Sequence, residues 1–215
     1  LGEVSRLHYT ATDWGEWDET FEYMKDKSQR YREANLFADS LTSINVDGLY
    51  LLDPRGGVVW SMLLDPITRE QTEDATLSHQ QWRSSQPVSP ATVDRRQGIF
   101  LATGGPLLFA SNPILVSDKS GLSRGNLVFV RYLSDSFTEL LQQRTELTIT
   151  VDVLNPGPTA VTAVEWLSDN QLKATTYVGF TNEQALQLQV STLLPRPIHQ
   201  QALQTIYLAT FLLMA

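Results

Sequence analysis

Apolar and small residues recur at Leu7, Thr10, Trp14, Trp17, Phe21, Met24, Ser28, Tyr31, Asn35 and Ala38, in alternating steps of three and four. The surrounding stretch is densely charged, free of proline and interrupted only by Gly15. That spacing predicts one long helix over 3–44 with a single apolar seam. The seam packs either on the chain's own sheet or on a second copy of the helix. The pattern then turns to strands. Residues 46–52 (VDGLYLL) and 58–64 (VVWSMLL) flank the turn Asp53-Pro54-Arg55-Gly56-Gly57, which predicts a hairpin. Residues 65–90 are polar and punctuated by Pro66, Pro87 and Pro90, and read as an irregular layer with a short helix over 77–84. Three further β-rich runs, 98–102, 106–116 and 125–133, are separated by Gly104-Gly105 and by Asp118-Lys119-Ser120-Gly121. Together these runs predict five consecutive antiparallel strands.

A helix over 134–146 follows, with Ser134 or Asp135 as its N-cap ahead of Phe137, Leu140 and Leu141. Strands over 147–154, 172–180 and 185–194 end the folded part. In the last of these, Leu186, Leu188 and Val190 alternate with Gln187 and Gln189, which leaves one face wet. The predicted class is α+β, a single domain over 1–215 with a C-terminal β extension within 134–196. From residue 200 the chain is apolar, through Leu203, Ile206, Tyr207, Leu208, Phe211, Leu212, Leu213 and Met214, with no charge after Arg196. It reads as the first turns of a truncated transmembrane helix, or alternatively as an amphipathic core helix. The chain starts at Leu1 with no charged, apolar leader, so it is expected to be a fragment whose targeting segment lies upstream.

Composition removes several classes of function. Sixteen Lys and Arg against twenty-four Asp and Glu give a net charge of −8, with no basic patch of the kind a phosphate backbone requires. Nucleic acid is not an expected partner. The absence of cysteine excludes disulfides, thiolate nucleophiles and thiolate metal sites. His8, His79 and His199 lack ligand spacing, so no metal or cofactor is expected. No nucleophile elbow, zinc-protease helix, phosphate-cradling glycine loop or calcium loop is present, and Ser78-His79 are adjacent rather than facing. No catalytic residue is therefore assigned.

Two stretches carry a family resemblance. In WGEWDETFEYMKDKSQRYREANL, Trp17-Asp18, Tyr31 and Asn35-Leu36, followed by a strand and the turn Asp53 to Gly56, match a pattern of Trp-Asp, aromatic cluster, Asn-Leu and Asp-x-x-Gly. In residues 98–133 the run GIFLATGGPLLFASNPILVSDKSGLSRGNLVFVRYL matches a second pattern of glycine, small-Pro hairpin and Gly-x-x-x-Gly-x-Leu-Val strand. Both are similar to the fourth family of CHASE-type extracellular sensors, which lie between two membrane helices of bacterial diguanylate cyclases, phosphodiesterases and histidine kinases. The resemblance implies a PAS-like antiparallel sheet over 46–133 packed on the long N-terminal helix. It also implies a periplasmic or extracytoplasmic location, membrane anchoring through flanking helices, and signalling to a cytoplasmic output domain. Residues 147–194 match no motif of that family.

The expected ligand is a small molecule, with a periplasmic protein as the alternative partner. Strand alternation puts Phe109 and Ser111 on one side of their strand, and Phe129 and Arg131 on one side of theirs. These four are the candidate pocket, with Trp82 and Arg83 of the irregular layer closing it. A desolvated Arg131 needs a carboxylate, from a ligand or from the protein, such as Asp53 or Asp135. Trp14, Trp17, Asp18, Phe21 and Asn35 are candidates for structural or signal-transmitting roles, and residues 7–21 for a parallel homodimer contact.

Overall fold

The computed structural model describes residues 2–72, 96–102, 105–154, 163–168, 170–179 and 187–195. They divide into two compact units, one of residues up to Ser136 and one of residues from Phe137 onward.

The first unit begins with four helices, α1 (Gly2–Gly15), α2 (Asp18–Asp26), α3 (Gln29–Asn35) and α4 (Ala38–Ser43). The single helix expected over 3–44 is thus broken three times, and the breaks have local causes. At the first, Trp17 is extended (φ −84°, ψ 133°), the Gly15 carbonyl accepts the Leu115 amide, and Asp18 and Glu19 open α2, where carboxylates favour a helix N-terminus. At the second, Lys27 takes the left-handed conformation (φ 54°) and its N–H closes on the Tyr23 carbonyl, while Asp26 Oδ1 accepts the Ser28 amide at 2.9 Å. The third is the extended Phe37 ahead of α4.

These breaks let the helical run fold on itself. The Thr20 and Tyr31 hydroxyls hydrogen-bond at 2.6 Å, and Tyr31 stacks on Tyr23 at 4.8 Å. In one straight helix residues 20 and 31 would be separated by about 16 Å along the axis.

Six antiparallel strands follow: β1 (Gly48–Leu52), β2 (Val58–Leu64), β3 (Gln71–Thr72), β4 (Arg96–Ala102), β5 (Gly105–Pro113) and β6 (Asn126–Tyr132). Their order across the sheet is β3-β2-β1-β6-β5-β4, so β6 is inserted between the hairpins β1-β2 and β4-β5 and pairs with β1 and β5. Apart from the two-residue β3, these are the five strands the sequence predicts. Asp53 makes the first hairpin turn, its Oδ1 accepting the amides of Arg55 and Gly57, both at 2.8 Å.

Residues directly opposed in the sheet share a face, and the two faces differ. On one, Leu49, Leu51, Leu108, Ala110, Leu127 and Phe129 are buried, and α1 lies against them with Leu7, Ala11 and Trp14. Trp14 meets Phe129 edge-on at 5.4 Å, and Thr12 Oγ1 donates to Asn112 Oδ1 at 3.3 Å. The seam residues Leu7 and Trp14 are therefore spent inside the protomer. Gly15 permits the close approach of α1 to β5, because a Cβ there would lie 2.8 Å from Asn112 Nδ2. On the opposite face Tyr50, Leu52, Leu63, Leu107, Phe109, Val128, Val130 and Tyr132 form a second buried cluster.

The second unit takes most of α5 (Asp135–Thr145), then β7 (Thr148–Leu154), β8 (Ala163–Ser168), β9 (Gln171–Gly179) and β10 (Gln187–Pro195). These strands form an antiparallel sheet in the order β7-β10-β9-β8. The edge strand β8, absent from the sequence expectation, is exposed along its whole length. Among the described residues no helix is long and apolar enough to cross a membrane, and the apolar stretch from residue 200 lies outside them.

Candidate functional site

The sheet register decides which candidate residues meet. Leu108 opposes Arg131 and Phe109 opposes Val130, so odd-numbered residues of β5 share a face with even-numbered residues of β6. Phe109 and Ser111 therefore lie on the face away from α1, whereas Phe129 and Arg131 lie beneath α1. The four predicted together are split across the sheet. The cause is the long β5-β6 connection, whose length sets the pairing parity and cannot be read from strand alternation. Trp82 and Arg83 lie outside the described residues.

Arg131 is buried, and its Nη1 donates to Glu3 Oε2 at 2.6 Å. The same Glu3 oxygen accepts from Arg6 Nη2 at 3.1 Å, and Arg6 Nη1 in turn donates to the Ile44 carbonyl. The partner carboxylate thus comes from α1, not from Asp53 or Asp135. Glu3 sits in the first turn of α1, ahead of the apolar seam, which left no strand pattern to point to it. This cluster ties the start of α1 to the sheet and to the end of α4.

A second clamp holds the α1-α2 junction. Asp18 Oδ1 accepts the Ser117 amide at 2.8 Å, Lys119 Nζ lies 3.0 Å from Glu16 Oε2, and Arg124 Nη1 donates to the Phe21 carbonyl at 2.8 Å. The Arg124 guanidinium also lies 3.7 Å from the centre of the Phe21 ring. Trp17 stacks on Trp14 at 5.1 Å. Asn35 Nδ2 donates to the Tyr31 carbonyl, and the Asn35 carbonyl accepts from Ser40 Oγ at 2.6 Å. Trp14, Trp17, Asp18, Phe21 and Asn35 are thus all engaged in holding the broken helical run in place. Beside them a concavity of about 420 Å³ lies between α2 and α3, with the exposed carboxylates of Glu19, Glu22 and Asp26 on its wall. Tyr31 lines it too, and burial pushes the phenol up to about 12 against the opposing pull of the Thr20 hydroxyl.

The face opposite α1 is a buried cluster of aliphatic and aromatic side chains, and two polar side chains are set on it, Ser111 at 0% exposure and Asn126 at 7%. Among the described residues, Ser111 Oγ and Asn126 Oδ1 have no hydrogen-bond partner. Ser111 opposes Val128 and Asn126 opposes Pro113, which makes the pair diagonal neighbours on one face. Asn126, Tyr50 and Tyr132 are not among the residues the sequence points to, although the alternation of Asn126, Val128, Val130 and Tyr132 along β6 carries the signal.

Comparison with known proteins bears on the family and the fold. A family profile described as the CHASE4 domain matches residues 2–152. The chain is 23% identical over 223 residues to the methanogenesis regulatory histidine kinase FilI of Methanothrix harundinacea (strain 6Ac), covering 95% of this chain and 24% of that protein. It therefore spans about a quarter of the length of that curated relative. Among solved structures, it is similar to a domain of a sensory box/GGDEF family protein from Vibrio parahaemolyticus, with a TM-score of 0.52 and 12% identity over 93% of this chain and 97% of the other. It is also similar to the periplasmic domain of LuxQ from Vibrio cholerae, with a TM-score of 0.50 and 10% identity over 90% and 91%.

Proposed function

The chain belongs to the CHASE4 family of sensor domains, and on that premise we propose that it is the extracytoplasmic ligand-binding part of a membrane signalling protein. The ligand is a small molecule received on the sheet face opposite α1, where Phe109 and Ser111 are joined by Asn126, Tyr50 and Tyr132. The observation that carries this reading is the pair of buried polar atoms, Ser111 Oγ and Asn126 Oδ1, without partners among the described residues on an otherwise apolar face. A folded protein rarely leaves such atoms unpaired, because each costs about 1–3 kcal/mol, and a bound ligand would supply the missing partner.

In this reading the two units work as one sensory domain, anchored by flanking membrane helices and homodimeric in the full protein. Chemistry belongs to an output domain elsewhere in that protein. Ligand on one face of β5 and β6 changes the packing of α1 on the other, through the Trp14-Phe129 contact and the Arg131-Glu3 pair.

A thermal-shift screen of the domain against metabolite classes tests the proposal. A ligand present at 100 times its Kd stabilises by about 2.7 kcal/mol. A shift that is lost in Ser111→Ala supports the site, and no shift from any class counts against it. The alternative is a periplasmic protein-interaction module. It is favoured by one observation, the exposure of Val164, Trp166 and Leu167 on the edge strand β8. Pull-down of a partner dependent on Trp166, with no small-molecule response, would establish it instead.

A further inference from the structure

We infer the chemical class of the ligand: a small molecule with an apolar or aromatic body that presents an N–H or O–H donor to Asn126 and Ser111. This deepens the sensory proposal and rests on it. An amide oxygen is an acceptor only, so Asn126 Oδ1 is satisfied by a donor and by nothing else, while a serine hydroxyl accepts or donates. Both atoms are buried on one face of β5 and β6, at diagonal register positions, and neither has a partner among the described residues.

Diagonal neighbours have Cβ atoms no more than about 7–8 Å apart, which a single ammonium, amide or hydroxymethyl group bridges. Around them Tyr50, Leu52, Phe109, Val128, Val130 and Tyr132 form a buried apolar cluster, the kind of lining that suits an apolar body. Low polarity strengthens a hydrogen bond made there and raises the cost of leaving it unmade. The site therefore discriminates by rejecting isosteres that lack the donor, the sense in which buried polar groups give the largest specificity.

The test uses matched probes on the isotope-labelled domain: benzyl alcohol, benzylamine and benzamide, each against toluene, followed by the amide signals of residues 109–112 and 126–130. The donor-bearing probes are expected to bind at least about tenfold more tightly than toluene, the size of one added hydrogen bond. Ser111→Ala and Asn126→Leu are expected to remove that advantage while leaving toluene binding unchanged. Each replaces an unpaired polar group by an apolar one, so both variants are expected to fold at least as stably as the wild type.

Equal binding of toluene and benzyl alcohol overturns the inference, as does a donor advantage that survives in both variants. If a metabolite class stabilises the domain while the probes leave these signals unmoved, the inference fails and the sensory reading stands. If neither probes nor metabolites produce any response, both fail.

Discussion

Arg131, on the last strand of the first sheet, is held by Glu3, in the first turn of the chain, at 2.6 Å across 128 residues of sequence. Both side chains are about nine-tenths buried, so the pair is sensitive to losing one member. Glu3 also serves Arg6, which makes the two ends unequal. Glu3→Ala takes the carboxylate from both guanidinium groups and is expected to cost about 3–5 kcal/mol, while Arg131→Ala leaves Glu3 with Arg6 and costs less. Chemical denaturation of the two single variants and the double variant checks this through their coupling energy. Additive effects would show that the pair does not act as a unit.

The α1-α2 junction has its own test. Because Asp18 Oδ1 accepts the Ser117 amide, Asp18→Ala is expected to lose about 1 kcal/mol, and Asp18→Asn, which keeps an acceptor, less than half of that. Thermal unfolding followed at the Trp14-Trp17 stack reads the change where the clamp acts.

The strands of the first sheet were legible because hydrophobic runs bounded by Asp53 to Gly57 and by Asp118 to Gly121 leave few other structures open. The helix breaks were not. Trp17, Lys27 and Phe37 fall within a seam whose steps of three and four continue unbroken across them. What ends each helix is a bond to a neighbour or a left-handed residue, such as Leu115 N–H to the Gly15 carbonyl, or Lys27 at φ 54°. For the site, alternation placed Phe109 with Ser111 and Phe129 with Arg131, correctly within each strand. It did not say which pair shared a face, because that depends on the pairing across residues 114–125. The edge strand β8 is not legible in the sequence because AVEWLS alternates too briefly to be told from a loop.

Gly125 is expected to be intolerant of change. Its φ of +129° is glycine's territory, and a Cβ there would lie 1.9 Å from the Leu52 carbonyl oxygen, a backbone atom that cannot swing aside. Gly125→Ala should destabilise by about 3 kcal/mol or more by forcing β1 and β6 apart at Leu52-Asn126. Hydrogen exchange at β1 amides checks where the damage falls.

Tyr31 gives a prediction in pH. Its ordinary value is 10.0 and burial raises the folded value to about 12, so the folded state favours the protonated phenol. The resulting stability, on the order of 2 kcal/mol, is complete below pH 10 and disappears as pH rises through about 12. Tyr31→Phe cannot ionise there. It should start lower, because Thr20 Oγ1 loses its 2.6 Å partner, and the gap to the wild type should close between pH 10 and 12. Denaturation midpoints for both proteins across that window decide it. A gap of constant size would show that Tyr31 is not the group responsible.

Asp47 provides the most demanding prediction, because one carboxylate serves two donors on different elements. Its Oδ1 takes the Arg69 guanidinium and its Oδ2 accepts the Tyr132 amide at 2.7 Å, while its own backbone donates to Val130 and accepts from Leu64. Both side-chain oxygens therefore face N–H groups, and only an acceptor fits at either position. Asp47→Asn, usually a mild change, must here turn its NH2 toward one of those donors, leaving that donor buried and unpaired. It should cost about 2–3 kcal/mol, close to the cost of Asp47→Ala, whereas Arg69→Ala leaves the Tyr132 bond in place and should cost less. Urea unfolding of the three variants checks the ranking. If Asp47→Asn proves as stable as the wild type, one of the two donors is not held by this carboxylate, and the link between the β2-β3 loop and β6 must run through another group.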